Sequence, residues 1–367
     1  MRRELRIPVR VSRLAGAVLG AGVASLAGCT GSASGPSGSA PATTGTFAGA
    51  SSSPANSLSA PADGSALTWE SGPFPGRTDD DDVEDVVGLM RRIPRGGGRQ
   101  DIVVVAWGGA ARRPLWIAGP FGDFGAGAFA VRVAASADRV LVADPHFVVH
   151  VLDRRTGKEI GAAPFQDRID FICTGSESDR VAWIPTVDRK SALLDLDTAK
   201  ATEGERPPFC ERANRSGCGS PASCAGQGLE KPVDEDVGAY RLFVEGDVTV
   251  MSSLAGEPPV TRLRGVDRAH RKALWSAEVA SDPAQVERAS VSVDMAAARV
   301  FASYRVPGAG ESRLVSFDAS TGQRRFEVVV PAAATSVLAT KTRVYVRTSE
   351  GVSAFDPSDG HRLGAFR

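Results

Sequence analysis

The sequence predicts an all-β chain, a β-propeller of four-stranded antiparallel blades, with six repeat units and room for a seventh. Three observations carry this. A strand followed by an Asp-containing polar turn and a second strand recurs along the chain, another apolar strand lies upstream of each copy, and residues 66–367 hold few helical signals. Strands of even spacing with a repeated turn describe propeller blades.

The repeat is clearest in "RLVSFDASTGQRRF" around Asp318 and "VSAFDPSDGHRL" around Asp356. It recurs as "VHVLDRRTGKEI" at Asp153, "ALLDLDTAKAT" at Asp195 and "LRGVDRAHRKALW" at Asp267. An Asp at a strand end accepts hydrogen bonds from backbone N–H groups ahead of it, a Thr hydroxyl three residues on caps the same turn, and Gly supplies the positive φ that follows. Gly157, Gly322 and Gly360 fill that last position, whereas Ala199 and Arg271 depart from it. An aromatic recurs eight residues after the anchor, as Trp275 and Phe326, and "VVVAWGGAARRPLW" places Trp116 in the same frame with Gly108 as anchor. Upstream strands are "RVLVAD", "RVAWIP", "DVTVMS", "RVFASY" and "RVYVRT". Anchors from Asp153 onward are 42, 72, 51 and 38 residues apart, against about 40–50 for a blade. The long step holds an insertion at about residues 205–237, which would have to hide a degenerate blade for the count to reach seven. A β-sandwich would not repeat an Asp-turn-Gly in register.

The N-terminus has a different character. Five arginines (Arg2, Arg3, Arg6, Arg10, Arg13) precede a short apolar run that ends in Leu26-Ala27-Gly28-Cys29. That order reads as a secretory signal, too short to span a membrane. "LAGC" resembles the lipobox of bacterial lipoproteins, which implies a signal peptide over 1–28, acylation of Cys29, export and anchoring to a bacterial membrane, the outer in preference to the inner. Residues 29–65 are nearly all Gly, Ser, Ala, Thr and Pro, a composition that cannot bury a core and behaves as a tether. Loss of residues 1–28 removes five arginines and one glutamate from a chain with 43 basic and 43 acidic residues. The remainder is mildly acidic, and nothing in it asks for nucleic acid.

Over residues 100–367, the units "RVFASY…RLVSFDASTGQRRF" and "RVYV…GVSAFDPSDGHRLGAF" are similar to the repeats of PQQ-like, quinoprotein-type propellers. The family includes dehydrogenases that use the quinone, but those are larger and many carry adjacent cysteines, which this chain lacks. The resemblance therefore implies architecture without PQQ chemistry and without an enzyme activity.

Candidate sites are few. In "GRTDDDDVEDVVGLM", Asp79, Asp81 and Asp85 resemble the calcium loops of integrin-type propeller repeats, because hard oxygen ligands at alternating loop positions are what Ca²⁺ takes. Arg77 in place of the first ligand and Asp82 in place of glycine depart from that pattern, and a solvated acidic loop is the other reading. His146 and His150 lie four apart, His270 stands at the Thr position of its turn, and His361 is isolated. No HExxH or GxSxG motif is present. Besides Cys29 there are Cys173, Cys210, Cys218 and Cys224, an even number that export favours as disulfides over zinc. Cys218 and Cys224 are separated by Gly, Ser and Pro and close a small ring, which leaves Cys173 for Cys210. The expected function is a tethered, non-catalytic scaffold for protein partners at the cell envelope, similar in plan to propeller lipoproteins of outer-membrane protein assembly. A ligand- or carbohydrate-binding lipoprotein is the alternative, with a quinoprotein oxidoreductase behind it.

Overall fold

A computed structural model describes residues 65–123, 131–174, 180–188, 190–207, 210, 240–245, 248–255, 260–267, 272–280, 286 and 291–367. The expected signal peptide, Cys29, the tether, His270, the Cys218–Cys224 pair and most of the insertion lie outside the described residues. No helix among the described residues is long and apolar enough to cross a membrane.

The described chain forms six four-stranded sheets, each an antiparallel meander with its strands in sequence order. They are numbered here as blades 1 (66–123), 2 (132–164), 3 (173–203), 4 (240–278), 5 (292–330) and 6 (334–366). Gly108, Asp153, Asp195, Asp267, Asp318 and Asp356 fall at the end of the third strand, one in each blade. First strands touch one another between blades 1 and 2, 2 and 3, 4 and 5, and 5 and 6, which places them innermost. Several second and third strands are buried on both faces, as in Asp101–Trp107 of blade 1 and Gly351–Phe355 of blade 6. Fourth strands are more exposed, and in Arg324–Val330 of blade 5 half-buried and exposed residues alternate, because only one face meets a neighbour.

The core lies between blades. Val87, Ile102, Trp116 and Phe121 of blade 1 pack on Val133, Val140 and Leu152 of blade 2. Equivalent clusters join blades 2 and 3, 4 and 5, and 5 and 6. Trp69, Met90, Val103 and Trp107 of blade 1 meet Leu338, Tyr345, Val352 and Phe366 of blade 6, so the ring closes by side-chain packing rather than by a shared sheet.

The Asp turn works as its residue types demand. Asp153 Oδ1 accepts from Thr156 N (2.9 Å) and Thr156 Oγ1 (2.8 Å), and Asp195 Oδ1 from Thr198 N (2.8 Å) and Oγ1 (2.9 Å). Asp318 and Asp356 repeat the pattern with Ser320, Thr321 and Ser358. The residue four past the anchor returns its N–H to the anchor carbonyl with positive φ: Gly157 (69°), Gly322 (69°), Gly360 (77°), but also Ala199 (52°) and Arg112 (52°).

The departures from glycine have a steric reason in the neighbouring blade. The residue eight past one anchor packs on the residue four past the next anchor. Trp116 covers Gly157, Trp275 covers Gly322 and Phe326 covers Gly360, so closely that an added Cβ would lie 2.6, 2.5 and 2.7 Å from ring atoms. Where the turn residue has a side chain, the packing residue is glycine instead: Gly161 faces Ala199, and Gly364 faces Arg112. One of each pair carries a side chain and the other has no Cβ. Trp116 Nε1 and Trp275 Nε1 also donate to the carbonyls of Arg154 and Ala319 in the next blade, both at 2.8 Å.

Candidate functional site: the acidic loop and the ring closure

First strands run from the face at which the chain enters the disc to the face that bears the Asp turns. These are called here the entry face and the turn face. The acidic run joins the first strand of blade 1, Ala66–Gly76, to its second, Asp85–Ile93, and so lies on the turn face.

Asp79, Asp81 and Asp85 do converge, with one carboxylate oxygen of each within 4.8 Å of the others. Asp85 is fully buried and acts as a backbone cap: its Oδ2 accepts from Thr78 N (2.6 Å) and Asp79 N (3.0 Å), and its Oδ1 from Gly109 N (2.7 Å). Asp79 Oδ1 accepts from Asp81 N and Asp81 Oδ1 from Val83 N, at 3.1 and 2.8 Å. Burial, with the neighbouring charges of Asp85 and Asp81, holds the Asp79 carboxyl above its ordinary value. Calcium takes about six to eight oxygens. Asp85 thus serves as a backbone cap and at the same time completes a group of three carboxylates close enough to share one ion.

The same loop fastens blade 1 to both neighbours. Glu84 Oε2 accepts from Thr340 Oγ1 (2.9 Å), Thr342 Oγ1 (3.3 Å) and Tyr345 OH (2.9 Å) of blade 6, while its carbonyl accepts from Arg343 Nη1 (3.3 Å). Burial and the Glu84 charge push the Tyr345 hydroxyl well above its usual range. On the other side, Asp80 pairs with Arg155 of blade 2. Next to Arg155, the buried Arg154 guanidinium donates to Ser136 O (2.7 Å) and to Phe74 O (2.9 Å) of blade 1. Burial pushes Arg154 down to about 10, against the pull of Asp85 and Glu84, so it stays charged at neutral pH. Arginines at or beside the start of second strands repeat this latch. Arg139 Nε reaches Leu196 O of blade 3 (3.2 Å), and Arg299 Nη1 reaches Ser358 O of blade 6 (2.9 Å).

The cysteine region gathers at blade 3. A disulfide joins Cys173, in the two-residue first strand Cys173–Thr174, to Cys210, beyond the fourth strand Ala201–Glu203, with Cα atoms 6.0 Å apart. It packs with Phe171 and Trp183, whose rings meet edge-on at 5.5 Å. The Arg206 guanidinium sits 5.5 Å over Trp183 and donates through Nε to Cys210 O (2.9 Å). The start of the insertion is thereby pinned to the innermost strand of its blade.

His146 and His150 do not form a pair of ligands. His146 donates its backbone N–H to Asp144 Oδ1 (2.9 Å), whereas the His150 ring lies between Glu159 Oε2 (3.2 Å) and Asp144 Oδ2 (3.5 Å). Burial depresses His150, but the two carboxylates outweigh it and hold the ring above its ordinary value. Residue types alone did not mark Glu84, Arg154 or Arg139, each of which has a partner in another blade. The recurring "RV" at second-strand starts was the one available signal for the arginine latches.

Residues 230–363 match the model of a family described as outer membrane protein assembly factor BamB, a stretch that spans blades 4 and 5 and most of blade 6. That stretch thus carries PQQ-like propeller repeats. No curated protein matches it. Among solved structures, it is similar to BamB from Moraxella catarrhalis (15% identity, 80% of this chain and 75% of that one, TM-score 0.26). It is also similar to the computationally designed Ika8 protein (12% identity, 81% and 87%, TM-score 0.40) and to Sqt1 from Saccharomyces cerevisiae (13% identity, 85% and 88%, TM-score 0.41).

Proposed function

We propose that the protein is a non-catalytic scaffold, exported and lipid-anchored through Cys29 to the outer membrane, that holds protein partners on a rigid propeller. The observation that carries this reading is the match of residues 230–363 to a family whose description concerns outer-membrane protein assembly. Two features support it. Reciprocal packing locks five of the six blade junctions among the described residues and the Glu84 clasp reinforces one of them, so those blades present their loops from a stiff frame. The insertion leaves blade 3 from a disulfide-pinned base, which limits the entropy lost when such a segment engages a partner.

The test is affinity capture from gently solubilised membranes with the intact protein and with a variant lacking residues 212–234. A reproducible partner retained by the intact chain and lost by the folded deletion variant is the expected result. A partner captured equally by both removes the insertion from the interface, and a ligand-dependent melting shift with no partner overturns the scaffold reading. The anchor is tested separately: Cys29→Ser should release the protein from membranes with the signal still cleaved.

A further inference from the structure

At the entry face of blade 2, a hairpin joins the second strand, Arg139–Ala143, to the third, Val148–Asp153. Phe147 in that hairpin has a φ of 64°. The corresponding hairpins of blades 1, 5 and 6 give such positions to glycine, as at Gly97, Gly308 and Gly351. A bulky L-residue is strained in the left-handed region, so the surroundings must hold Phe147 there. Asp144 does so. Its Oδ1 accepts from His146 N (2.9 Å) and Val148 N (2.8 Å), its carbonyl accepts from Phe147 N (3.2 Å), and its own N–H donates to Val148 O (2.9 Å). The Phe147 carbonyl accepts from Phe165 N (2.8 Å), which ties the hairpin to the chain just beyond the fourth strand, Glu159–Pro164. Pro145 lies against blade 1, where a Cβ added to Gly122 would come within 3.2 Å of its Cγ.

The second oxygen of Asp144 faces a histidine. Asp144 Oδ2 is 3.5 Å from His150 Nε2, Glu159 Oε2 is 3.2 Å from His150 Nδ1, and the ring packs 5.2 Å from that of Phe121 in blade 1. Two carboxylates against two ring nitrogens match the imidazolium, which donates from both, whereas the neutral ring has a single N–H. With the shorter contact at Glu159, the remaining proton belongs on Nδ1. The bare Nε2 then turns its lone pair to the Asp144 carboxylate, and a charge-assisted hydrogen bond is replaced by repulsion. Burial raises Asp144, but the His150 ring with the Val148 and His146 N–H groups outweighs it and holds the carboxyl below its ordinary value. The other charged or titratable residues on the surrounding elements are Arg132 opposite Ala143, Asp123 with its partner Arg99 at the end of the fourth strand of blade 1, and His146 on the hairpin itself. Residues 124–130, which join blades 1 and 2, hold no titratable side chain.

We propose that the Asp144–Val148 hairpin is a pH-responsive element of the entry face: an imidazolium at His150 keeps Asp144 in place and Phe147 strained, and loss of its proton lets the hairpin relax. The tip that moves bears the exposed His146 and the half-buried Phe147, so the change alters a surface contact while the Asp-turn frame stays as it is. His150 is held above its ordinary value of about 6.5, so the ordered hairpin is complete at and below that pH and is lost as the pH rises through the folded value.

The experiment uses the chain from residue 29 with Cys29→Ser. Amide hydrogen-exchange protection, which divides out the intrinsic rise of exchange with pH, is measured by NMR at about pH 6 and about pH 8.5, and the His150 ring is titrated through its carbon shifts. The expected result is a fall of at least about fivefold in the protection of the Phe147 and Phe165 amides, the scale of one modest hydrogen bond lost, with the midpoint of the His150 ring. His146→Gln should keep that fall, and in His150→Gln the protection of both amides should not change with pH. Phe147→Gly, which takes the left-handed conformation without strain, should hold its protection at the higher pH. Protection that is flat across the His150 titration, a fall that persists in His150→Gln or in Phe147→Gly, or a ring midpoint below the ordinary histidine value overturns the proposal.

Discussion

Replacing Trp116 and Gly157 singly and together tests whether the blades are held by reciprocal packing. Trp116 is 1% exposed, lies against Gly157 and donates its indole N–H to Arg154 O. Trp116→Ala should cost about 3–5 kcal/mol, as for other buried Trp or Phe truncations. Gly157→Ala has two costs: about 1–2 kcal/mol for a Cβ at a φ of 69°, and about 1–3 kcal/mol for overpacking, since the new methyl would sit 2.6 Å from Trp116 Cδ2. With the indole gone, the overpacking vanishes and only the backbone cost remains. The double variant should therefore be more stable than the sum of the single effects predicts, by about 1–3 kcal/mol. Urea unfolding followed by circular dichroism, with equal m-values required across the four proteins, gives the cycle. Additivity within about 0.5 kcal/mol would refute the reasoning, because two groups in steric contact cannot act independently.

Four further outcomes follow from the same structure. Glu84→Ala removes the acceptor of three hydroxyls at the junction of blades 6 and 1. It should cost about 1–3 kcal/mol, with hydrogen exchange accelerated in those two blades. Asp85→Ala should destabilise strongly whether or not calcium is present, while chelator leaves the wild-type melting temperature unchanged; a calcium-dependent rise at millimolar ion would restore a metal site. Cys173→Ser should cost about 3–4 kcal/mol by loop-closure entropy for a sequence separation of 37, read by urea unfolding. The pH dependence has two arms. Hydrogen bonds from Thr198, Ser320 and Ser358 hold Asp195, Asp318 and Asp356 below the ordinary carboxylate value. Their contribution is complete above about pH 4 and is lost as the pH falls through the depressed values. His150 is raised, so its contribution is complete below about pH 6.5 and is lost as the pH rises through its folded value. Thermal melts of His150→Gln should lose that alkaline arm alone.

The repeat frame was readable from the amino-acid order because it is local. An Asp, a Thr or Ser within three residues and a small residue after it determine a turn with no help from elsewhere. Four such turns, with looser copies at Gly108 and Asp267, at mostly blade-sized intervals leave little choice of architecture. The partner of Cys173 was also within reach, because a cysteine on an inner strand meets only segments that return to the axis. Other features depend on residues that meet across blade boundaries, where spacing in the chain carries no signal. Ala199 and Arg112 look like defects in a glycine consensus until Gly161 and Gly364 are found against them. That Asp85 also caps three backbone N–H groups, one of them from Gly109, shows only in the fold. A chain with 43 basic and 43 acidic residues looks electrically featureless. Only the alternating direction of the strands sets the acidic run beside Arg155 of blade 2 and Glu84 beside the hydroxyls of blade 6, because each strand carries its two ends to opposite sides of the disc.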